Sequence, residues 1–114
     1  MAYKILYDEN TKSWAIINNY GYVLIIKSNG EKLVFTIEEF KFETRLDNIV
    51  FFNGHLYIPD LDCVDIVNVK TQKVKKLTCE NIVNPDSIIF EINSQGFSVI
   101  TDNVWYEVQR NEQQ

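Results

Sequence analysis

The sequence predicts an all-β protein made of three repeated antiparallel meanders of about 40 residues each. First, β-branched and aromatic residues, which favour strands, are well represented in a chain that is 46% hydrophobic. Second, short apolar runs are separated by turn signals such as Asn29-Gly30 and Asn53-Gly54. Third, the order of strands and turns recurs along the chain. These observations favour repeated hairpin units over a helical or mixed fold.

The chain of 114 residues is long enough to bury a core without disulfides or a metal, so a single domain over residues 1–114 is expected. Within it we place the repeats at about residues 3–40, 48–80 and 87–109. The polar residues 110–114 are expected to form a frayed tail.

The first repeat reads as four strands. Turn-rich segments at 8–12, 18–21 and 29–30 separate apolar runs at 3–7, 14–17, 22–27 and 32–37. If Asn29-Gly30 is a two-residue turn, one face carries the pairs Leu24 with Phe35 and Ile26 with Leu33. The other face then carries Val23, Ile25 and Val34. Both faces are apolar, so both must be covered.

The second and third repeats follow from the first. Moving the first repeat by 43 positions superposes Asn10 on Asn53, Trp14 on Tyr57 and Leu24 on Val67. A third copy has strands near 87–92, 97–101 and 104–108 and lacks a clear fourth strand. Trp14, Tyr57 and Trp105 fall at or near equivalent places, and we interpret them as core anchors. The alternative is a recognition surface in which each repeat presents a ring to a sugar or peptide.

A resemblance supports this interpretation. The segment 53–77 contains Asn-Gly-His-Leu-Tyr-Ile, Val-Asp-Ile-Val-Asn-Val and Lys-Thr-Gln-Lys-Val. It resembles blades of β-propeller repeats of the NHL and YVTN type, which have a Gly-x-Leu-Tyr-Val strand and an Asp-x-x-Thr-Gly-Lys-Val turn. Gln72 stands where those families usually have Gly, and Val69-Lys70 where they often have Asp. The resemblance implies propeller-like blades and indicates no activity.

Three blades are too few for a propeller, which has 4 to 8. Two chains could join into a ring of about six blades. Alternatively, three repeats could close as a β-trefoil or a prism, or the chain could form another β-sandwich or barrel. The incomplete third repeat favours the ring.

Charge and composition exclude several classes of function. A net charge of -5 argues against nucleic-acid binding. There is no signal-peptide pattern and no run of 18 apolar residues, so we expect a cytoplasmic protein that does not bind membranes. If Thr71-Gln72 is a two-residue turn, Cys63 and Cys79 point to opposite faces, and we expect both to be free thiols.

No catalytic motif is present, so we predict a protein that is not an enzyme and needs no cofactor. Asp60, Asp62 and Asp65 could hold a hard cation such as calcium, but the glycine and glutamate of an EF-hand loop are missing. We interpret them as a solvated acidic loop and predict no metal site. His55, which follows the Asn-Gly turn, has no candidate nucleophile beside it in the sequence, and we expect it to be exposed.

The candidate binding site lies in the turns after the second strand of each repeat. If the repeats are equivalent, these turns share one edge of the assembly and form a polar, acidic rim with one aromatic ring. The candidate binding residues are Asn18, Asn19, Tyr20, Asp60, Asp62, Asp102 and Asn103.

The leading hypothesis is a small acidic non-enzymatic binding protein that acts through protein-protein contacts and forms a homo-oligomer. The abundance of Asn, Ile and Lys suggests an AT-rich genome, which would suit an inhibitor or accessory factor from a low-GC bacterium or phage. The alternatives are a lectin-like module that binds small ligands in its equivalent loops, and a hydrolase that uses the acidic loop with a metal.

Overall fold

The computed structural model of this chain describes residues 2–40 and 45–110. These residues form eleven β-strands and no helix, which confirms the all-β prediction. The strands are β1 (Tyr3–Asp8), β2 (Ser13–Asn18), β3 (Tyr22–Ile26), β4 (Lys32–Thr36), β5 (Val50–Phe52), β6 (His55–Asp60), β7 (Cys63–Asn68), β8 (Val74–Thr78), β9 (Ile88–Phe90), β10 (Gly96–Thr101) and β11 (Val104–Gln109). Across the described ranges there is consequently no helix long and apolar enough to cross a membrane.

The strands form three antiparallel sheets in chain order. Sheet A is β1-β2-β3-β4, sheet B is β5-β6-β7-β8 and sheet C is β9-β10-β11. In each sheet every strand pairs with the strand next to it in sequence, because short turns join antiparallel neighbours. Sheet C has three strands among the described residues, as the sequence predicted.

The sheets are stacked, with sheet B in the middle. One core cluster joins sheets A and B through residues such as Ile17, Val23, Leu56 and Val67. A second cluster joins sheets B and C through Tyr57, Val64, Ile66, Leu77, Ile89, Phe97 and Val99. Neighbouring residues of β6, such as Leu56 and Tyr57, belong to different clusters because side chains alternate between the faces of a strand. Sheet B is therefore buried on both faces, which explains its long apolar runs.

The turn at Asn53-Gly54 has the predicted form, and a second two-residue turn follows at Leu61-Asp62. Phe52 pairs with His55 around Asn53-Gly54, whose φ angles of 50° and 77° suit a type I′ turn. Asp60 likewise pairs with Cys63 around the two-residue turn Leu61-Asp62.

The turn at Asn29-Gly30 differs from the prediction. Lys27 and Glu31 bond to each other across a three-residue loop, in which Gly30 has a φ of 88°. This extra residue shifts the pairing of β3 and β4 by one, so Leu24 faces Val34 and Val23 faces Phe35. The predicted pairs Leu24 with Phe35 and Ile26 with Leu33 are wrong, because loop length sets the register of a hairpin.

The turn at Thr71-Gln72 also differs from the prediction. The backbone of Asn68 accepts a bond from Gln72 and donates one to Lys73, which closes a four-residue loop. Val64 therefore pairs with Leu77 and not with Cys79. The predicted free thiols are present, since Cys63 and Cys79 are both buried and unbridged.

A single offset of 43 between the first two repeats is also wrong. Four residues separate β1 from β2 and three separate β2 from β3, whereas two residues separate each corresponding pair in sheet B, so the offset changes at these two turns. Trp14, the second residue of β2, corresponds to Leu56 rather than to Tyr57. Trp14 is 47% exposed, whereas Tyr57 is 0% exposed. Trp105 lies on β11, the third strand of sheet C, whereas Trp14 and Tyr57 lie on the second strands of their sheets. Tyr57 is a core anchor as predicted, but the two tryptophans are not.

Of the predicted frayed tail, 110–114, only Arg110 belongs to the described residues. Its backbone N–H donates to Gln95 O at 2.8 Å, and its guanidinium donates to the Tyr57 hydroxyl. Arg110 therefore continues the pairing of β11 and packs over the ring of Tyr57.

Candidate functional site

The predicted binding turns of sheets B and C are linked to each other at one edge of the stack. The N–H of Asp62 donates to Val83 O at 2.9 Å, and the Asn84 side chain donates to Thr101 Oγ1 at 3.0 Å. The segment that joins β8 to β9 therefore contacts both turns. Asp102 and Asn103 are exposed and line a shallow cavity of about 340 Å³.

The corresponding turn of sheet A is built differently. Asn18 Oδ1 accepts hydrogen bonds from the backbone N–H groups of Tyr20 and Tyr22, at 2.9 and 3.1 Å. Asn19 Oδ1 accepts from Ala2 N at 3.3 Å. Both asparagines are buried, so these amides hold the turn and the first strand together. Of the three predicted residues, Tyr20 is the exposed one.

The acidic residues after β6 form a compact cluster with a different membership from the predicted one. Ligand atoms of Asp60, Cys63 and Asp65 lie within 4.8 Å of one another, whereas Asp62 occupies the turn. The interpretation as a solvated acidic loop is wrong for Asp65, which belongs to strand β7 and is buried. Lys76 Nζ lies 2.7 Å from Asp65 Oδ1. An ammonium group thus already supplies the positive charge beside this carboxylate.

The electrostatics of this cluster follow from burial. Burial raises the pKa of Asp65 above its usual range, and the ion pair with Lys76 opposes that rise. The hydrogen bond to Asp65 in turn raises the pKa of Lys76. Burial, with help from Asp65, raises the pKa of the Cys63 thiol to about 11. Such a thiol is a poor nucleophile at neutral pH.

His55 lies at the opposite edge of the stack, where the Asn53-Gly54 turn begins β6. Its Nδ1 lies 3.0 Å from Asn53 O, and the residue is partly buried rather than exposed. It lines a cleft of about 410 Å³ between sheets A and B. The cysteines, the only thiols of the chain, lie near the other end of β6 and β7.

The largest feature that the sequence reasoning missed is the outer face of sheet A, which points away from sheet B. Cross-strand pairing places on it the row Tyr7, Trp14, Ile26 and Lys32 and the row Ile5, Ile16, Leu24 and Val34. A third row contains Tyr3, Asn18, Tyr22 and Thr36. Lys32 is the one charged side chain among these twelve.

Most of this outer face is open to solvent. Six of its apolar and aromatic side chains are exposed, among them Trp14 and Val34, the latter at 75%. The rings of Tyr7 and Trp14 are in contact, with centroids 4.7 Å apart. Sheets in monomeric proteins usually present a polar face to water, so a contiguous apolar face of this kind is typical of an interaction surface.

The outer face of sheet C, at the other end of the stack, is smaller. It contains the row Ile88, Ile100 and Trp105 and the row Phe90, Ser98 and Glu107. The rings of Phe90 and Trp105 lie 5.1 Å apart, and Trp105 is 57% exposed. Ile88, Phe90, Ile100 and Trp105 therefore make part of this face apolar, and Ser98 and Glu107 make the remainder polar and acidic.

The sequence contained a signal for both surfaces. Consecutive residues within the strands are apolar, so apolar side chains lie on both faces of the strands. This pattern predicted that both faces must be covered, either by stacked repeats or by a second chain in a ring. Sheet B is covered on both sides, and the end sheets A and C are each covered on one side among the described residues.

Comparisons of this chain with protein-family profiles, with curated proteins and with solved structures gave no match.

Proposed function

We propose that this chain is a non-enzymatic binding protein that acts through protein-protein contacts, with the outer face of sheet A as its binding surface. The observation that carries the proposal is the set of exposed apolar and aromatic side chains on that face, interrupted by a single charge, Lys32. Aromatic residues and a low density of charge are characteristic of the buried centres of protein interfaces. A small-molecule site would instead be concave, and this surface is the face of a sheet.

The proposal includes a propeller-like arrangement of the three sheets as successive blades. Two four-stranded meanders and one three-stranded meander stack face to face. Neighbouring blades of a propeller stack in the same way. The end blades of an incomplete ring keep one uncovered face each, and sheets A and C have such faces. A trefoil or prism would bring the first and third sheets together, whereas the two core clusters found in ranges 2–40 and 45–110 join sheet A to sheet B and sheet B to sheet C.

The chemistry of the polar clusters supports a role without catalysis. Lys76 neutralises the carboxylate of Asp65, and the pKa of Cys63 is raised to about 11. Asn18 and Asn19 of the predicted rim bond to backbone groups. These contacts are of the kind that stabilises turns and buried charges.

The proposal can be tested with a photoreactive amino acid placed at Val34, on the outer face of sheet A. The matched control carries it at Leu61, which is 70% exposed but lies in the turn between β6 and β7. After irradiation in cells that make the protein, we expect a defined protein adduct from position 34 and little from position 61. Peptide mapping by mass spectrometry identifies the crosslinked segment. Equal or absent adducts at both positions would contradict a binding role for this face.

A further inference from the structure

We infer that the partner of the outer face of sheet A is a second copy of this chain, which packs the outer face of its own sheet C there. The inference rests on the proposed function, because it names the partner of the same surface. It differs from that proposal in requiring sheet C and in requiring no other protein.

Continuity with the existing sheet contacts supports this partner. Sheet A packs on sheet B through Ile17 and Leu56, and sheet B packs on sheet C through Tyr57 and Phe97. Each contact joins the central strands of two successive meanders. A contact between sheet C of one copy and sheet A of the next repeats this arrangement once more. It would bring Ile100 of β10 to the face that carries Ile16 of β2.

The two faces also match in composition. Each carries an exposed tryptophan in contact with a second ring, Trp14 with Tyr7 and Trp105 with Phe90. Packing the faces together removes from water nine of the exposed large apolar side chains: Tyr3, Ile5, Tyr7, Trp14, Tyr22, Val34, Ile88, Ile100 and Trp105. Burial of aromatic side chains is a main source of affinity at interfaces.

Charge complementarity indicates how the two faces are oriented relative to each other. The one charged side chain on the outer face of sheet A is Lys32, whereas sheet C presents the carboxylate of Glu107 and that of Glu91, which accepts a hydrogen bond from Ser98 Oγ on this face. Lys32 follows the β3–β4 loop, at the same edge of the stack as the Asn53-Gly54 turn. Glu107 lies toward the end of β11, where Arg110 lines a cavity together with His55. When sheets continue in the same orientation, the two opposite charges come to the same part of the interface.

The number of copies follows from closure. One copy contributes three sheets, so two copies give a ring of six, within the usual range of 4 to 8 blades. The two contacts of such a dimer are identical and are related by a two-fold axis. Both end faces of both copies are then covered. Packing of sheet A on sheet A would also give a dimer, but it would leave both sheet C faces in water.

The test uses two variants of the whole chain, Trp14→Glu on sheet A and Trp105→Glu on sheet C, with Leu61→Glu as the control. Both tryptophans are exposed, so far-ultraviolet circular dichroism should show unchanged folds. For the unchanged chain, sedimentation velocity should show a dimer of the 13.4 kDa protomer. We expect each tryptophan variant to weaken dimerisation by at least about 100-fold, and the control to have little effect.

Mixing the two variants distinguishes the possible contacts. A mixture of Trp14→Glu and Trp105→Glu chains keeps one intact pair of faces, so we expect heterodimers where each variant alone is monomeric. If only Trp14→Glu disrupts the dimer, sheet A packs on sheet A and the inference is overturned while the proposed function stands. If the unchanged chain is a monomer at micromolar concentration, the inference is overturned as well. The crosslinking at Val34 then decides separately whether a different protein binds this face.

Discussion

The carboxylate of Asp8 binds the backbone N–H of Gly54, 46 residues away, at 2.7 Å and joins the first turns of sheets A and B. The same side chain accepts bonds from Thr11 Oγ1 at 2.6 Å and from Asn10 N at 3.0 Å. Asp8 is buried, and three hydrogen-bond donors of the protein take the place of the water molecules that its carboxylate would otherwise bind. It therefore fixes the β1–β2 turn and also aligns the stacked edges of two sheets.

Replacing Asp8 with Ala should lower the free energy of unfolding by roughly 2 to 4 kcal/mol, because charge-assisted bonds are lost and the Gly54 N–H is left without its acceptor. Asp8→Asn keeps part of the acceptor capacity and should cost less. Urea denaturation followed by circular dichroism measures the loss. Glu9→Ala, at the next and exposed position, serves as the control and should change little. Equal effects of Asp8→Ala and Glu9→Ala would rule out this role.

Asp8 also makes a specific contribution to the pH dependence of stability. Burial by itself would raise the pKa of this carboxyl, but bonds from Thr11 and from backbone N–H groups hold it below the ordinary value of 3.8. A lowered pKa in the folded state stabilises the protein at pH values above 3.8, and this contribution is lost as the pH falls through the folded pKa. The difference in melting temperature between the unchanged chain and Asp8→Asn should therefore be constant near neutral pH and shrink below pH 4. A difference that grew on acidification would contradict this assignment.

How much the sequence could predict is seen by comparing particular turns. Asn53-Gly54 was predicted correctly because both residues can adopt positive φ, which is a local property. Asn29-Gly30 contains the same dipeptide, but its loop has three residues, and the pairs across β3 and β4 moved by one position. Loop length depends on how the whole sheet twists and packs, so a dipeptide alone does not determine it.

The candidate site shows a similar limit. The hairpin of β3 and β4 was predicted to carry apolar residues on both faces, and from this followed the expectation that both faces need to be covered. The register of the strands determines which residues point outward. The predicted offset of 43 made Trp14 equivalent to the buried Tyr57. Side chains alternate with a period of two, so an error of one residue exchanges the buried face and the exposed face. For this reason the outer face of sheet A became visible only in three dimensions.

The buried thiol of Cys63 should react slowly in the native protein. Its pKa of about 11 leaves roughly one thiolate in a thousand at pH 8. With Cys79 replaced by Ser, so that Cys63 is the single thiol, modification by iodoacetamide should be at least about 100-fold slower than in denaturant. The rate is followed by mass spectrometry. Rapid native modification at pH 7 would show that Cys63 is activated rather than suppressed, and would revive a nucleophilic role.

The ion pair between Asp65 and Lys76 leads to a second prediction for the pH dependence of stability. Here the pKa of the buried acid is raised, whereas the pKa of Asp8 is lowered. Replacing Lys76 with Met leaves Asp65 buried beside Asp60 without its ammonium partner. We expect a loss of roughly 1 to 3 kcal/mol near pH 7, less than for a fully buried pair because the Lys76 side chain is 53% exposed.

The pH dependence of this loss separates an electrostatic cause from a packing cause. The pKa of Asp65 is raised by burial in the unchanged chain, and removal of Lys76 should raise it further. An acid with a raised pKa in the folded state destabilises the protein as the pH rises through that pKa. The loss of unfolding free energy caused by Lys76→Met, relative to the unchanged chain, should thus mostly disappear when the pH is lowered from 7 to about 4. Urea denaturation of both chains at each pH measures this difference. Lys70→Met, an exposed change in the loop between β7 and β8, should show no such recovery. A loss independent of pH would mean that Lys76 acts through its aliphatic chain rather than through its charge.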